Sequence, residues 1–307
     1  MADLPNLANH DYVVRINRAI DHITRNVANP LPLDEIARAA AFSPFHFHRI
    51  FRALVGETVH AFVKRVRLER AVTLMSQRPD ASLTDIALAT GFAGSSDFSR
   101  SFRAHFGVPP SAFDVEAFRE ARRNELVAKT VPDAPHRLEG LPPGANPDNF
   151  VPRILTLPLR RVAYARANEP YTSGSVVPTV QRMLAWARER GLAGGQWLGY
   201  MWEDPKVVAV EDCHYDIGVV VPDTADTTGA NVTSFPEMTV VELDMIGGID
   251  LEMRALDYLY RTWLPTSGYV PDHQPGFEAF IGEPFAHGTE HFELRVQLAI
   301  VPATTPL

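Results

Sequence analysis

The chain repeats itself. LDEIARAAAF (Leu33–Phe42) returns as LTDIALATGF (Leu83–Phe92), with Phe92 50 residues after Phe42. FHRIFRALVG (Phe47–Gly56) returns as FSRSFRAHFG (Phe98–Gly107), with Gly107 51 residues after Gly56. Each copy reads as a short helix, a tight turn and a second helix that stops at glycine. Ser82 is placed to cap the first helix of the second copy, with Asp85 three residues on. Gly91 stands where a left-handed residue is wanted, and Pro44 follows Ser43 at the favoured first helical position. Phe98, Phe102 and Phe106 give the second helix one apolar stripe, while Arg100 and Arg103 fall on the other side. A helix, a four-residue turn and a helix is the arrangement that lays a second helix in the DNA major groove. The bland alternative is a helical hairpin buried in an enzyme; two copies with matching Arg49 and Arg100 favour the DNA reading.

Between the copies, Thr58 can cap a helix over Val59–Gln77, whose 19 residues span about 28 Å at ~1.5 Å each. Val59, Phe62, Val63, Val66, Ala71, Leu74 and Met75 supply its apolar positions. A rod of that length holds two reading helices about one DNA turn apart, roughly 34 Å, so a monomer can contact two major-groove segments. Charge agrees only once the chain is divided. Residues 12–113 carry 13 Lys+Arg against 8 Asp+Glu, an excess of five positive charges, while residues 151–307 carry 11 against 20, an excess of nine negative ones. The total of −8 therefore hides a basic first part, and phosphate attraction is a local surface property.

Other features set boundaries. No apolar run is long enough to span a bilayer. MADLPNLANH lacks a basic region followed by an apolar stretch, so the expectation is a chain without a secretory signal, in the cytoplasm. Cys213 is the only cysteine, which excludes an internal disulfide framework and suits a reducing compartment. KTVPDAPHRLEGLPPGANPDN (Lys129–Asn149) is crowded with Pro, Gly and Asn and reads as a linker. The division expected is a multidomain one: 8–125 an all-α domain with two helix-turn-helix units, 126–150 a linker, and 151–304 a second domain.

The run Phe98-Ser99-Arg100-Ser101-Phe102-Arg103, followed by Phe106-Gly107 and Pro110, resembles the signature of the AraC/XylS family of bacterial transcription regulators over about residues 10–120. That resemblance implies base and phosphate contacts from Phe45, His48 and Arg49 in the first copy, and from Ser96, Asp97, Ser99, Arg100 and Arg103 in the second. Arginine can grip guanine O6 and N7 bidentately, and serine reads bases loosely or holds phosphate. Asp97 could accept from a cytosine amino group; capping its own helix near Ser95 is an equal alternative. Promoter DNA is the implied partner, with RNA polymerase beside it.

From Arg153 onward the pattern turns to strands. RILTLPLRRVAYAR reads as a strand, VVPTVQRMLAWARERG as an amphipathic helix, and QWLGYMW and CHYDIGVVVP as strands. MTVVELD, LEMRALDYLYRTWLP, FEAFIGEP and FELRVQLAIVP replay that order. Two strand–helix–strand–strand units sharing a sheet make a pseudo-symmetric α+β domain, with a groove between them as a natural ligand site.

Tyr171 after Asn168-Glu169-Pro170, the Glu203-Asp204-Pro205 turn, Tyr215-Asp216, WLPTSGY (Trp263–Tyr269) and PGFEAF (Pro275–Phe280) make this part resemble the GyrI-like effector domain of multidrug-sensing regulators, over about 151–304. The resemblance gives Glu278 the functional carboxylate. With Trp197, Tyr200, Trp202, Tyr258, Trp263 and Phe280 around it, the glutamate suits a cationic or amphipathic aromatic effector, whose charge meets the π faces and the carboxylate. The bland alternatives are an exposed glutamate and rings that simply fill a core. Asp250 stands where that family often carries an aromatic.

His287-Gly288-Thr289-Glu290-His291 would need a helix to bind zinc, and Gly288 after Pro284 argues for a loop. No glycine-rich phosphate loop, nucleophile elbow or Cys/His cluster is present, so no metal and no cofactor are expected. Together these features predict a non-enzymatic, sequence-specific DNA-binding regulator that senses a small molecule. The alternative is a hydrolase of reactive electrophiles, with Glu278 as general base, fused to a DNA-binding domain.

Overall fold

The computed structural model describes residues 4–130 and 140–304, with side chains from residue 11. The chain divides into two compact units, Met1–Ala117 and Phe118–Pro306.

In the first unit, α1 (Leu4–Arg25), α2 (Leu33–Ala39), α3 (Pro44–Val55) and the start of α4 (Val59–Gln77) enclose one core. It is built from Ile16, Ile20, Ile23, Ile36, Phe47, Phe51, Phe62 and Val63. The last turns of α4 bury Leu68, Ala71, Val72 and Leu74. They pack with α5 (Leu83–Ala89) and α6 (Ser95–Phe106), which bury Ile86, Phe98 and Phe102. The buried positions therefore move round α4 along its length, because each end serves a different copy of the motif. Thr58 caps α4 by accepting from the Ala61 amide at 3.2 Å. Ser82 caps α5: its Oγ accepts from the Asp85 amide at 3.1 Å and donates to Asp85 Oδ2 at 2.6 Å. Gly94, rather than Ser95, is the capping position of α6, and it offers no side-chain bond.

The two inner turns share one geometry. The Phe42 amide donates to Ala37 O at 2.9 Å, and the Phe92 amide to Ala87 O at 3.0 Å. Both turns need one left-handed residue, supplied by Gly91 at φ 79° and by Ala41 at φ 53°. A last helix, α7 (Val115–Thr130), is capped by Asp114 Oδ1, which accepts from the Ala117 amide at 3.0 Å.

The linker expected over 126–150 is therefore structured at both ends. Residues 126–130 are helical, with Leu126 buried, and residues 131–139 lie outside the described residues. Residues 140–150 belong to the second unit and pack into its core. There Leu141 and Phe150 are buried, the Leu141 amide donates to Asp257 Oδ2 at 3.1 Å, and Arg254 Nε binds Asp148 Oδ2 at 2.8 Å.

The second unit is a 9-stranded antiparallel sheet. Its strands are β1 (Arg153–Leu157), β2 (Arg160–Asn168), β3 (Trp197–Met201), β4 (His214–Val220), β5 (Asn231–Phe235), β6 (Met238–Gly247), β7 (Tyr269–Pro271), β8 (Gly276–Phe280) and β9 (Phe292–Pro302). They run in the order β1-β6-β9-β8-β3-β4-β2-β5, with β7 on β9. Helix α8 (Val176–Glu189) follows β2. After β6 come α9 (Ile249–Tyr258), a π-helical turn (Leu259–Trp263) and the short α10 (Leu264–Ser267).

The two strand–helix–strand–strand units are thus β2-α8-β3-β4 and β6-α9-β8-β9, and they meet at the β3–β8 pair. The segment read as one strand from Arg153 to Arg166 is two strands, broken at Pro158, which cannot donate to a ladder. The first of these, β1, leaves its own half and pairs with β6, while β5, which precedes β6, pairs with β2. The halves exchange their edge strands.

Side chains alternate across the sheet. One face carries Trp197, Tyr215, Ile217, Phe280, Leu294 and Val296, under Val180 and Met183 of α8 and Ala255 and Tyr258 of α9. The other holds Tyr164, Leu198, Tyr200, Phe235, Met238 and Phe277. On that face Arg160 of β2 reaches Gln297 of β9 and Met238 of β6, so strands distant in the order meet as the sheet curls.

Candidate functional sites: a paired-helix nucleic-acid interface and a buried carboxyl pair

In α3, Phe47 and Phe51 face the core, and Phe45, His48, Arg49 and Arg52 are exposed. In α6, Phe98, Ser101 and Phe102 are buried, Ser96, Arg100 and Arg103 are exposed, and Asp97 and Ser99 are half-buried. Each expected contact residue thus lies on one of the two second helices. Phe106 of the expected apolar stripe is half-buried, against Phe102 and Phe113.

Some of the unit's arginines are held by the fold, while others, among them the exposed Arg18 of α1, have no carboxylate partner among the described residues. Arg15 binds Ala40 O at 2.9 Å and lies over the Phe42 ring, Arg65 binds Glu57 and Glu69, and Arg67 binds Val27 O at 3.1 Å and Asn29 O at 2.9 Å. These are fastened to the fold. Arg49, Arg52, Arg100 and Arg103 have no carboxylate partner among the described residues. Arg52 was not among the expected contacts. The repeat itself could have identified it, since it stands 51 residues before Arg103, as Arg49 stands 51 before Arg100.

Asp97 has an internal role. It lies in the first turn of α6, where a negative charge suits the helix dipole, and its field acts on Arg67. Burial lowers the Arg67 pKa, and Asp97 offsets part of that effect.

In the second unit, Glu278 of β8 pairs across the sheet with Gly199 of β3 and shares the helix-covered face. The Tyr215 hydroxyl donates to Glu278 Oε2 at 2.6 Å. This fit requires a glycine at 199: a Cβ there would strike the Tyr215 hydroxyl and lie 2.6 Å from Glu278 Oε2. Over them lies Glu252 of α9, buried and hydrogen-bonded to Glu278. Burial, then the Glu278 charge, pushes the Glu252 carboxyl well above the usual range. Burial raises Glu278 too, against hydrogen bonds from Tyr215 and Glu252 that favour its ionised form. Of the two carboxyls, Glu252 is the one that burial and its neighbour's charge most strongly keep protonated. The Tyr171 hydroxyl, 3.4 Å from Met201 Sδ, is also held neutral by burial, with Cys213, Glu278, Asp204 and Glu252 adding to the effect.

Of the expected ligand residues, Trp197, Tyr258 and Phe280 belong to the core on the Glu278 face, and Trp263 packs against it. Tyr200 and Trp202 do not join them. Their rings lie on the opposite face, Tyr200 against Tyr164, Phe235 and Phe277, and Trp202 against Phe235 and His273. The reason is the two-residue period of a strand: Gly199 faces Glu278, so Tyr200 faces away. Glu252 was missed because nothing local sets it apart from the acids of a solvated helix.

His287 and His291 lie in an exposed loop, both near Glu293 Oε1, at 3.4 Å and 4.0 Å. Among the described residues no group of three His, Cys, Asp or Glu could hold a metal ion. No helix of the described residues is long and apolar enough to cross a membrane. Cys213 is buried, with its Sγ 3.4 Å from Ala209 O.

Fold and site together define a two-domain chain that couples a duplicated helix-turn-helix to an α+β module of the effector-binding kind. A helix-turn-helix domain model matches residues 36–115, and a model of the GyrI-like small molecule binding domain matches residues 150–301. The chain is similar to the HTH-type transcriptional activator AarP of Providencia stuartii, 31% identical over 98 residues that cover 32% of this chain and 72% of that protein. It is similar to the DNA gyrase inhibitor of Edwardsiella piscicida, 28% identical over 155 residues, 47% of this chain and 95% of that one. It also matches the HTH-type transcriptional regulator YbfP of Bacillus subtilis, 30% identical over 102 residues, but there it spans only 34% of the relative's length. The chain belongs to the AraC-type family of helix-turn-helix transcription regulators and carries a C-terminal GyrI-like domain.

Proposed function

We propose that this chain is a transcription regulator that binds promoter DNA through α3 and α6, answers to a cationic or amphipathic aromatic effector held near Glu278, and acts on RNA polymerase in the cytoplasm. The observation that carries the DNA reading is the set of four exposed arginines at repeated positions on the two second helices, Arg49 with Arg100 and Arg52 with Arg103, without carboxylate partners among the described residues, while Arg15, Arg65 and Arg67 are fastened to the fold. Phe45, a large apolar residue 72% exposed on the first reading helix, fits contact with a thymine methyl group. Helix α4, 19 residues and about 28 Å long, is a spacer suited to two successive major-groove segments.

The test is selection of a preferred sequence from random duplexes, followed by Arg49→Ala and Arg100→Ala. A bidentate guanine contact predicts a loss of about 1–3 kcal/mol confined to one base position. Uniform weakening with a shallower salt slope would reassign that arginine to phosphate, and unchanged binding by both variants would reject the interface. For the effector, aromatic cations should raise the melting temperature of the full chain and neutral isosteres should not, and Glu278→Gln should abolish the difference.

One observation favours a second reading. A half-buried carboxylate with a raised pKa beside a phenol also suits a general base acting on a strained electrophile. Turnover that disappears in Glu278→Gln while DNA binding survives would select the hydrolase.

A further inference from the structure

Among the described residues, the buried carboxylates of this fold have cationic partners. Asp216 has Arg166 at 2.7 Å, Asp257 has Lys206 at 3.2 Å, Glu242 has Arg153 at 2.9 Å and Asp21 has Arg25 at 3.7 Å. Glu252 is the exception: it is 7% exposed, has no cationic partner and is hydrogen-bonded to Glu278. The groups facing this pair supply no positive charge. Tyr215 of β4 donates to Glu278, and Tyr171 of the 169–173 turn feels both carboxyls together with Cys213 and Asp204, the last bound to Arg119. On α9 itself, Arg254 is taken by Asp148 and Asp250, and Asp257 by Lys206. A buried carboxyl with no cationic partner is kept neutral by a proton, and Glu252 is that group, leaving one negative charge on Glu278 for a ligand to meet.

We propose that Glu252 is a specificity-determining residue of the effector site, and that the Glu252–Glu278 pair exchanges the Glu252 proton for the cationic group of the effector. The inference rests on the cation reading above and adds to it the second carboxylate and the proton. A permanent cation beside the pair favours the ionised form of Glu252, so the proton leaves to solvent as the ligand enters. By linkage, affinity then rises with pH, by up to about tenfold per unit, for as long as the empty pair still holds its proton. A neutral ligand of the same shape gains nothing from that release, so the site selects charge over shape. Gln at 252 can still donate to Glu278 but has no proton to give up. The variant should therefore bind a cation much as the wild type does at low pH, and should not improve as pH rises.

The experiment uses the full chain without DNA, with ethidium as a cation whose own charge does not titrate and 6-phenylphenanthridine as the neutral counterpart. Titrations between about pH 5.5 and about pH 8 should show wild-type affinity for ethidium rising at least about tenfold, with Glu252→Gln flat. Calorimetry of the wild type in two buffers of different ionisation enthalpy should show proton release approaching one per site, a readout that does not depend on the variant folding. No ethidium binding at any pH would overturn the cation reading itself. Binding whose affinity ignores pH and releases no proton would leave that reading standing and overturn the exchange. A pH-dependent gain retained in Glu252→Gln would remove Glu252 from the role.

Discussion

Gly91 and Ala41 occupy the same left-handed position in the two copies, and substitutions there give opposite outcomes that can be worked from the structure. At Gly91→Ala, the new Cβ would lie 2.6 Å from Val27 O and 2.9 Å from the Arg67 guanidinium. That carbonyl is backbone and already accepts from Arg67 Nε at 3.1 Å, so relief requires moving the α1–α2 connection or releasing Arg67. The left-handed conformation costs alanine about 1–2 kcal/mol. Losing a hydrogen bond from a charged donor costs about 1.5–3 kcal/mol. Together the substitution should cost roughly 3–5 kcal/mol, near the lower bound of a typical domain's total stability of ~5–15 kcal/mol. Ala41→Gly recovers the ~1–2 kcal/mol and returns ~0.5–1 kcal/mol to unfolded-chain entropy, a net gain of about 0.5–1 kcal/mol. All 4 tryptophans, Trp186, Trp197, Trp202 and Trp263, lie in the second unit. Their fluorescence therefore follows that unit alone, while the far-ultraviolet dichroism is weighted towards the helical first unit. In urea, Gly91→Ala should move the dichroism transition and leave the fluorescence transition in place. A cost below about 1 kcal/mol, or an Ala41→Gly variant that is clearly destabilised, would refute the steric account.

Two further substitutions probe the second unit. Gly199→Ala drives a methyl group into the Tyr215–Glu278 hydrogen bond and should weaken cation binding by tenfold or more, with a stability loss of about 1–3 kcal/mol; fluorescence titration with ethidium checks it. Arg160 is buried on the opposite face with no carboxylate partner among the described residues, Gln297 Oε1 lying at 3.4 Å and the Phe277 ring centroid 4.5 Å from its guanidinium. Burial lowers its pKa to about 10. A base whose pKa falls on folding destabilises the native state at every pH below the folded value, and the penalty fades only as pH rises past about 10. At neutral pH Arg160→Met should therefore stabilise the second unit by about 1–3 kcal/mol in urea, and a destabilised variant would show that the cation is worth more to the fold than its burial costs.

How much of this was legible in the sequence depended on where a residue's partner lies. Helix α4 could be bounded from Thr58 to Gln77 because its cap and its apolar positions are local. The same holds for the Ser82–Asp85 cap and for Gly91. Pro158 carried the signal for the break between β1 and β2, and it was visible without being used. The exchange of β1 and β5 between halves has no local mark at all, since pairing across a sheet is decided by topology. The candidate site around Glu278 shows the same divide. Glu278 and the aromatics could be named, and the two-residue period already separates Trp197 from Tyr200 and Trp202 on one strand, but which of them shares a face with Glu278 depends on the Gly199–Glu278 register, which only the folded sheet fixes.

Duplication sharpens this point, because a repeat reveals what the copies share, whereas function resides where they differ. Arg49 and Arg100 match, as do Arg52 and Arg103, yet Phe45 is answered by Ser96, and His48 by Ser99. On the proposed DNA reading, two helices that share arginines and differ at the remaining exposed positions would read unlike half-sites in one orientation, which a symmetric dimer of identical helices cannot do. In the second unit the two halves bring a glycine and a glutamate to the same pair, and Gly199 is what makes room for Glu278 and Tyr215. Symmetry supplies the scaffold there, and its local failure supplies the site.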